Sequence, residues 1–343
     1  MRIGRKMIME AAGRISPYVR ATPILRLDSS ELDISRPDIP RPDIPRPHIP
    51  RPHIPWVGET PSGRAFSVCL KLELLQHTGS FKPRGAFNRL LRAVLPGPAD
   101  LAVIAASGGN HGAAVAYAAR ALGRRAEIFV PGPTPAAKVA RIASYGARVV
   151  QGGEAYSDAL EASHARQKAT GALEVHAYDD DDVIAGQGTV GRELEHEAPD
   201  LTHILVATGG GGLIGGIAAW YGSRAAVISV EPQGCPALHT ALAAGRPVAA
   251  PVGGIAADSL GAKQVGARMF PIAAVHVAQA VLVSDAAILH AQRWLWDRLR
   301  LIAEPGRATA LAALLSGTFV PPAGARVGVI VCGANTDPAK LAF

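Results

Sequence analysis

Lys82 is the residue whose setting points most directly to chemistry. It lies in His77-Thr78-Gly79-Ser80-Phe81-Lys82-Pro83-Arg84-Gly85-Ala86-Phe87, after a β-like run at 68–73 and before a helix expected over 86–94. Thr78, Ser80 and Pro83 suit a helix start, since hydroxyls cap free backbone N–H groups and proline costs little in a first turn. An ammonium gains nothing at the positive end of a helix. A lysine kept there reads as a reactive amine, suited to a Schiff base with a carbonyl compound. On the local pattern the alternative is a solvated surface side chain.

Three further stretches follow apolar β-like runs in chain order: Ser107-Gly108-Gly109-Asn110-His111-Gly112, Gly209-Gly210-Gly211-Gly212-Leu213 and Cys332-Gly333-Ala334-Asn335. The glycine run leaves backbone N–H groups uncovered where a helix begins, an arrangement that favours a phosphate. The alternative is a turn that lets a helix approach its sheet closely. The run lacks the Rossmann and Walker spacings, and no Gly-Lys-Ser/Thr follows it. Ser107 and Asn110 read either as a cradle for a carboxylate or as a helix N-cap with a spare amide. Cys332 reads either as a weak, neutral partner for a ligand or as a buried structural thiol.

The elements that must hold these residues alternate. Strand-like runs at 101–106, 127–130 and 148–150 are interleaved with helical patterns at 113–122, 135–145 and 156–170, which predicts a parallel sheet in a small lobe. After the acidic turn Asp179-Asp180-Asp181-Asp182, helices are expected at 183–195, 213–221 and 285–299, and strands at 203–207, 226–230, 281–283 and 327–331. These build a larger lobe, completed by a helix over 7–20 and an extended segment at 22–27.

Taken together, the four motifs resemble the pyridoxal-phosphate enzymes of fold type II, and most closely the serine/threonine dehydratases (threonine ammonia-lyases). The resemblance runs from about Thr22 to the C-terminus with one insertion. It implies a two-lobed α/β fold like that of the tryptophan synthase β chain, with parallel sheets, helices on both faces, and a homodimer. It also implies pyridoxal 5'-phosphate as cofactor and β-elimination of water from L-threonine or L-serine, giving 2-oxobutanoate or pyruvate and ammonia. Lys82 would be the catalytic lysine, flanked by Phe81, with Gly209, Gly210, Gly211, Gly212 and Leu213 at the cofactor phosphate. Asn110, Glu304 and Cys332 would complete the cofactor site. Ser107, Gly108, Gly109, Asn110 and His111 would form the substrate loop.

The departures from the family pattern carry expectations of their own. Serine racemases have a second serine where this chain has Gly108, so elimination is favoured over racemisation. Glu231 matches a glutamate of metal-dependent relatives, but Ala237 stands where their aspartate would be, and no divalent metal is expected. Ser259 replaces a common glycine beside the substrate, which leaves the side-chain preference open. Lyases for hydroxyaspartate or phenylserine are the alternatives within the fold. A β-replacing synthase usually has threonine at the place of His111. A non-catalytic partner protein presenting a proline repeat is the reading from another class.

That repeat is four copies of Arg-Pro-(Asp/His)-Ile-Pro over 36–55. Two prolines in every five residues exclude helix and predict an extended, exposed segment. It reads as a ligand for a proline-reading domain, as a spacer, or as a tandem expansion tolerated in a loop. The expected division is therefore 1–35 in the large lobe, 36–55 as insertion, 56–100 as the lysine segment joining the lobes, 101–175 as small lobe and 176–343 as large lobe.

A chain of 343 residues can bury a large core, and although 48% of it is hydrophobic, no apolar run approaches a membrane span. The first residues carry scattered charges and no apolar signal region, so a soluble cytoplasmic protein is expected. Only eight residues follow Asn335, which leaves no room there for a regulatory domain. Three cysteines, Cys69, Cys235 and Cys332, suit a reducing compartment and make neither a disulfide framework nor a zinc site. The net charge of +7 raises nucleic acid as a partner, but the arginines are spread along the chain. An anionic cofactor and amino-acid substrate account for a mildly positive site, so neither a nucleic acid nor a membrane is expected as partner.

Overall fold

Apolar strands separated by helices of ten or more residues pair in parallel, because a crossover of that length returns the chain to the same end of the sheet. The computed structural model of the chain, which describes residues 3–28, 66–93 and 102–337 with Leu32 and Ala339, follows that rule twice. The proline repeat at 36–55 lies outside the described residues.

One sheet has six strands. In spatial order they are β1 (Ile24–Asp28), β2 (Ser67–Lys71), β10 (Arg326–Ile330), β7 (His203–Ala207), β8 (Ala226–Pro232) and β9 (Val277–Val283). All pairings are parallel except that of β1 with β2, an antiparallel edge that the parallel expectation did not include. The other sheet has four parallel strands in the order β5 (Arg148–Gln151), β4 (Ala126–Val130), β3 (Val103–Ala106) and β6 (Leu173–Glu174).

The central strands are buried and rich in Val, Ile and Leu, as strands covered on both faces must be. Two helices meet unusually closely over the six-stranded sheet, α6 (Asp181–Glu197) and α7 (Gly212–Tyr221). A Cβ on Gly216 of α7 would sit 2.5 Å from the backbone nitrogen of Gly188 on α6, so only glycine permits this contact. Asp180 caps α6, accepting from the N–H groups of Asp182 (2.8 Å) and Val183 (3.0 Å), which explains the acidic run ahead of it.

Several elements differ from the sequence expectation. Helix α1 covers Arg5–Ile15, not 7–20, and α2 (Lys82–Ala93) begins at the lysine itself. Proline is tolerated at the second position of α2 because its missing N–H has no helical partner there. Strand β6 and the helices α8 (Ala237–Ala244), α9 (Ala257–Leu260), α10 (Phe270–His276) and α12 (Pro305–Leu315) were not expected. Helix α12 is buried along almost its whole length and packs on both α11 (Asp285–Leu299) and the six-stranded sheet. A helix apolar on all sides has no contrast of period 3.6 to read.

Candidate active site

Lys82 is placed by a tight turn and by the end of β10. Thr78 and Gly79 both adopt positive φ (60° and 68°), unusual for the β-branched threonine. The chain then runs against the exit of β10: Ala334 N–H donates to Gly79 O (2.9 Å) and Phe81 N–H to Cys332 O (3.3 Å). This stitching sets Lys82 on the first turn of α2, where its Nζ donates to Ala177 O at 2.8 Å. Burial, and then the nearby Arg307 guanidinium, push its amine down to about 7. The local penalty read from the sequence is thus joined by desolvation, and both favour the neutral nucleophile.

Lys82 and the four glycines line one cavity of about 840 Å³. Gly209–Gly212 fall between the end of β7 and the first residue of α7, with Gly211 left-handed at φ 91°. A Cβ at Gly210 would lie 2.4 Å from the Tyr178 ring, and one at Gly209 2.9 Å from the Leu260 backbone. Bare backbone N–H groups at a helix N-terminus, crowded so that no side chain fits, make a cradle for a phosphate. Leu213 follows on α7 and is buried. An amine at one wall and an anion cradle in the same cavity fit pyridoxal phosphate, whose aldehyde and phosphate they match.

The substrate-loop residues line the same cavity. Ser107 Oγ accepts from Gly109 N–H at 3.3 Å, which keeps its O–H as a donor. Asn110 opens α3 (Asn110–Ala121); its Nδ2 donates to Glu304 Oε1 at 2.5 Å and its Oδ1 accepts from Asn335. One amide N–H of Asn110 therefore remains for a ligand. His111 Nε2 donates to the Val175 carbonyl at 2.7 Å. Burial, and then the Lys82 charge, push His111 down to about 3, so it stays neutral and orients rather than titrates.

Glu304 stands at the N-cap position of α12 without a side-chain capping bond, and Phe81 is buried with its ring against Arg307. Cys332 is fully buried, its thiol pushed up by burial, and it does not reach the cavity wall. Arg307 does reach that wall. Its Nη1 donates to Cys332 Sγ at 3.8 Å and its Nε to Glu304 Oε1 at 3.3 Å. Sequence reasoning passed over Arg307 and Tyr178, and quoted Asn335 in the last motif without giving it a role. The readable signal for Arg307 is a lone guanidinium three residues after Glu304 in an otherwise apolar helix.

Glu231 ends up engaged with the backbone at the start of α8, where Ala237 is the first residue. The buried Glu231 carboxylate accepts from the Leu238 (2.7 Å) and His239 (2.8 Å) N–H groups at the start of α8, while burial pushes it up to about 8. Among the described residues, no group of three or more His, Cys, Asp or Glu is arranged to hold a metal ion.

Two largely parallel sheets, a half-buried amine and an anion cradle in one cavity fit a pyridoxal-phosphate enzyme of fold type II. The chain belongs to that family: the family model for pyridoxal-phosphate dependent enzymes matches residues 54–333. An L-threonine ammonia-lyase of Geobacter sulfurreducens is 40% identical over 273 residues, covering 79% of this chain and 67% of that protein. A phenylserine dehydratase of Ralstonia pickettii is 38% identical over 279 residues, covering 80% and 85%. Among solved structures, maize serine racemase superposes with a TM-score of 0.83 at 30% identity, covering 99% of this chain and 95% of the other. No described helix is long and apolar enough to cross a membrane.

Proposed function

We propose that the enzyme eliminates water from L-threonine or L-serine, releasing 2-oxobutanoate or pyruvate with ammonia. The observation that carries this reading is the half-buried Lys82 amine, poised near neutrality, opening on the cavity that the glycine cradle also lines. Pyridoxal phosphate, when bound, supplies an aldehyde for covalent attachment and a conjugated ring that withdraws electrons from the substrate α-carbon. Lys82 would hold it, with Gly209–Gly212 at its phosphate and Asn110 and Glu304 along its edge.

The Ser107 hydroxyl and the Gly108 N–H would bind the substrate carboxylate, with Gly109 N–H holding the Ser107 oxygen in place. With substrate bound, the Lys82 Nζ would accept the α-proton, as an unprotonated amine can at neutral pH. The β-hydroxyl would leave as water, its added proton balancing the one Lys82 removes, and the enamine so formed would take up water after release to give the 2-oxo acid and ammonia. Gly108 offers no hydroxyl to return a proton to the opposite face, which favours elimination over racemisation. The 67% and 85% coverage of the lyase and dehydratase relatives supports this class of substrate.

We place the enzyme in the cytoplasm, where its buried free thiols Cys69, Cys235 and Cys332 stay reduced, and as a homodimer of two-lobed subunits divided at about residue 175. Sedimentation tests the dimer. The function is tested by keto-acid release from L-threonine, L-serine, hydroxyaspartate and phenylserine, alongside Lys82→Ala. The variant should lose both the visible absorbance of the attached cofactor and all turnover. Retention of both would refute the assignment.

A further inference from the structure

Arg307 is a buried cation in the cavity wall, 4% exposed, on the first turn of α12. That position is unfavourable for a guanidinium, since the helix end is itself positive. It is nevertheless firmly held, by Glu304 Oε1, by Cys332 Sγ and by the ring of Phe81, whose centroid is 5.2 Å from its Cζ. Lys82 Nζ lies 5.2 Å from the centroid of the same ring, so the two groups are at most about twice that distance apart.

Lys138, Arg141 and Lys263 also line the cavity, but Arg307 is the cation that bears on Lys82. Cys332, at the exit of β10, stays a thiol because burial raises it. On α3, His111 is neutral, and His176, ahead of α6, is pushed down by burial. Glu304 carries the opposing charge, and its Oε1 is shared between Arg307 and Asn110 Nδ2.

We propose that Arg307 is a positioning residue of the cofactor cavity, a permanent buried charge that holds the Lys82 amine unprotonated and ready for the cofactor aldehyde. The role rests on the reading of Lys82 as the cofactor lysine. A guanidinium does not give up its proton to a neighbouring base, so the charge it brings to the cavity is permanent. Two unit charges about 10 Å apart at an effective dielectric constant of about 20 shift an amine by about one pH unit.

The test is the pH midpoint of Lys82 reductive methylation in the full-length, cofactor-free protein, read at that residue by mass spectrometry. Arg307→Gln should raise the midpoint by about one pH unit, and Arg307→Lys should hold it near the wild-type value. Glu304→Gln, which removes the counter-charge, should move it the opposite way. Opposed shifts are the signature of charge, since loosened packing moves both variants in the same sense. An unchanged midpoint in Arg307→Gln, or a rise in Glu304→Gln, overturns the proposal; if Arg307→Gln does not fold, the other two variants decide. Failure of the wild-type protein to take up pyridoxal phosphate overturns the functional reading beneath it, and is measured separately from the midpoints.

Discussion

Replacing Arg84 by methionine should destabilise the protein more at pH 8 than at pH 5. Arg84 is 2% exposed and Glu73 fully buried, and the two meet fork to fork, Nε to Oε2 at 2.8 Å and Nη2 to Oε1 at 2.7 Å. Glu193 shares the guanidinium, while the buried Lys71 pairs with Glu193 (3.2 Å) and Glu197 (2.7 Å). The cluster joins α2, which carries Lys82, to α6 and to the turn after β2. Without Arg84, three carboxylates are left with one ammonium. Breaking a buried pair in this way costs about 3–5 kcal/mol, which lowers the melting temperature by about 10 °C.

The pH dependence follows from Glu73. In the wild type, burial acts to raise its carboxyl, but the Arg84 charge and hydrogen bonds outweigh burial and hold it below the ordinary range. Its contribution to stability is therefore present above the unfolded value of about 4.3 and lost as pH falls through the folded value. In Arg84→Met the burial remains and the main opposing charge is gone, so the carboxyl rises. Stability is then lost as pH rises above the unfolded value, and the gap from wild type widens toward pH 8. Thermal unfolding at both pH values, with saturating cofactor, measures it, and Glu73→Gln/Arg84→Met should recover part of the loss. A loss under about 1 kcal/mol, small against the 3–5 expected, or a gap that does not widen with pH, would refute the reasoning.

Gly211→Ala forces a side chain into φ 91° against Met269, and should lower pyridoxal-phosphate affinity in a fluorescence titration at least tenfold. Gly222→Ala, strained at φ 58° but facing open space, should lose similar stability and leave that affinity unchanged. Glu231, raised by burial to about 8, contributes stability that is fully present below about pH 4.3 and lost as pH rises through 8. Glu231→Gln should therefore flatten the fall in melting temperature between those limits.

The strand-to-helix turns that carry Lys82, Asn110 and Gly209–Gly212 were legible because each combines a run of buried apolar residues with glycine or hydroxyl punctuation. The ends of α2 were less so. Pro83 suits a first turn, yet the helix was expected only from residue 86, four residues after it begins. Arg84 and Glu73 show why the rest was hidden, since the pair and its partners on α6 are brought together only by tertiary packing. Helix α12 was invisible for a different reason, its alanines and leucines giving no preferred side. With α12 unread, Arg307 had no address, and the cavity end assigned to Cys332 was described without the group that faces it.

The carbonyl of Thr78 receives two donors, Arg141 from α4 (Ala136–Ser144), beside the four-stranded sheet, and Asn335 (2.8 Å) from just beyond β10. Asn335 in turn grips Asn110. One oxygen thus ties α4 to the exit of β10. Because the Asn335 amide holds both this oxygen and Asn110, its loss would loosen the seam between the sheets and the cavity wall together.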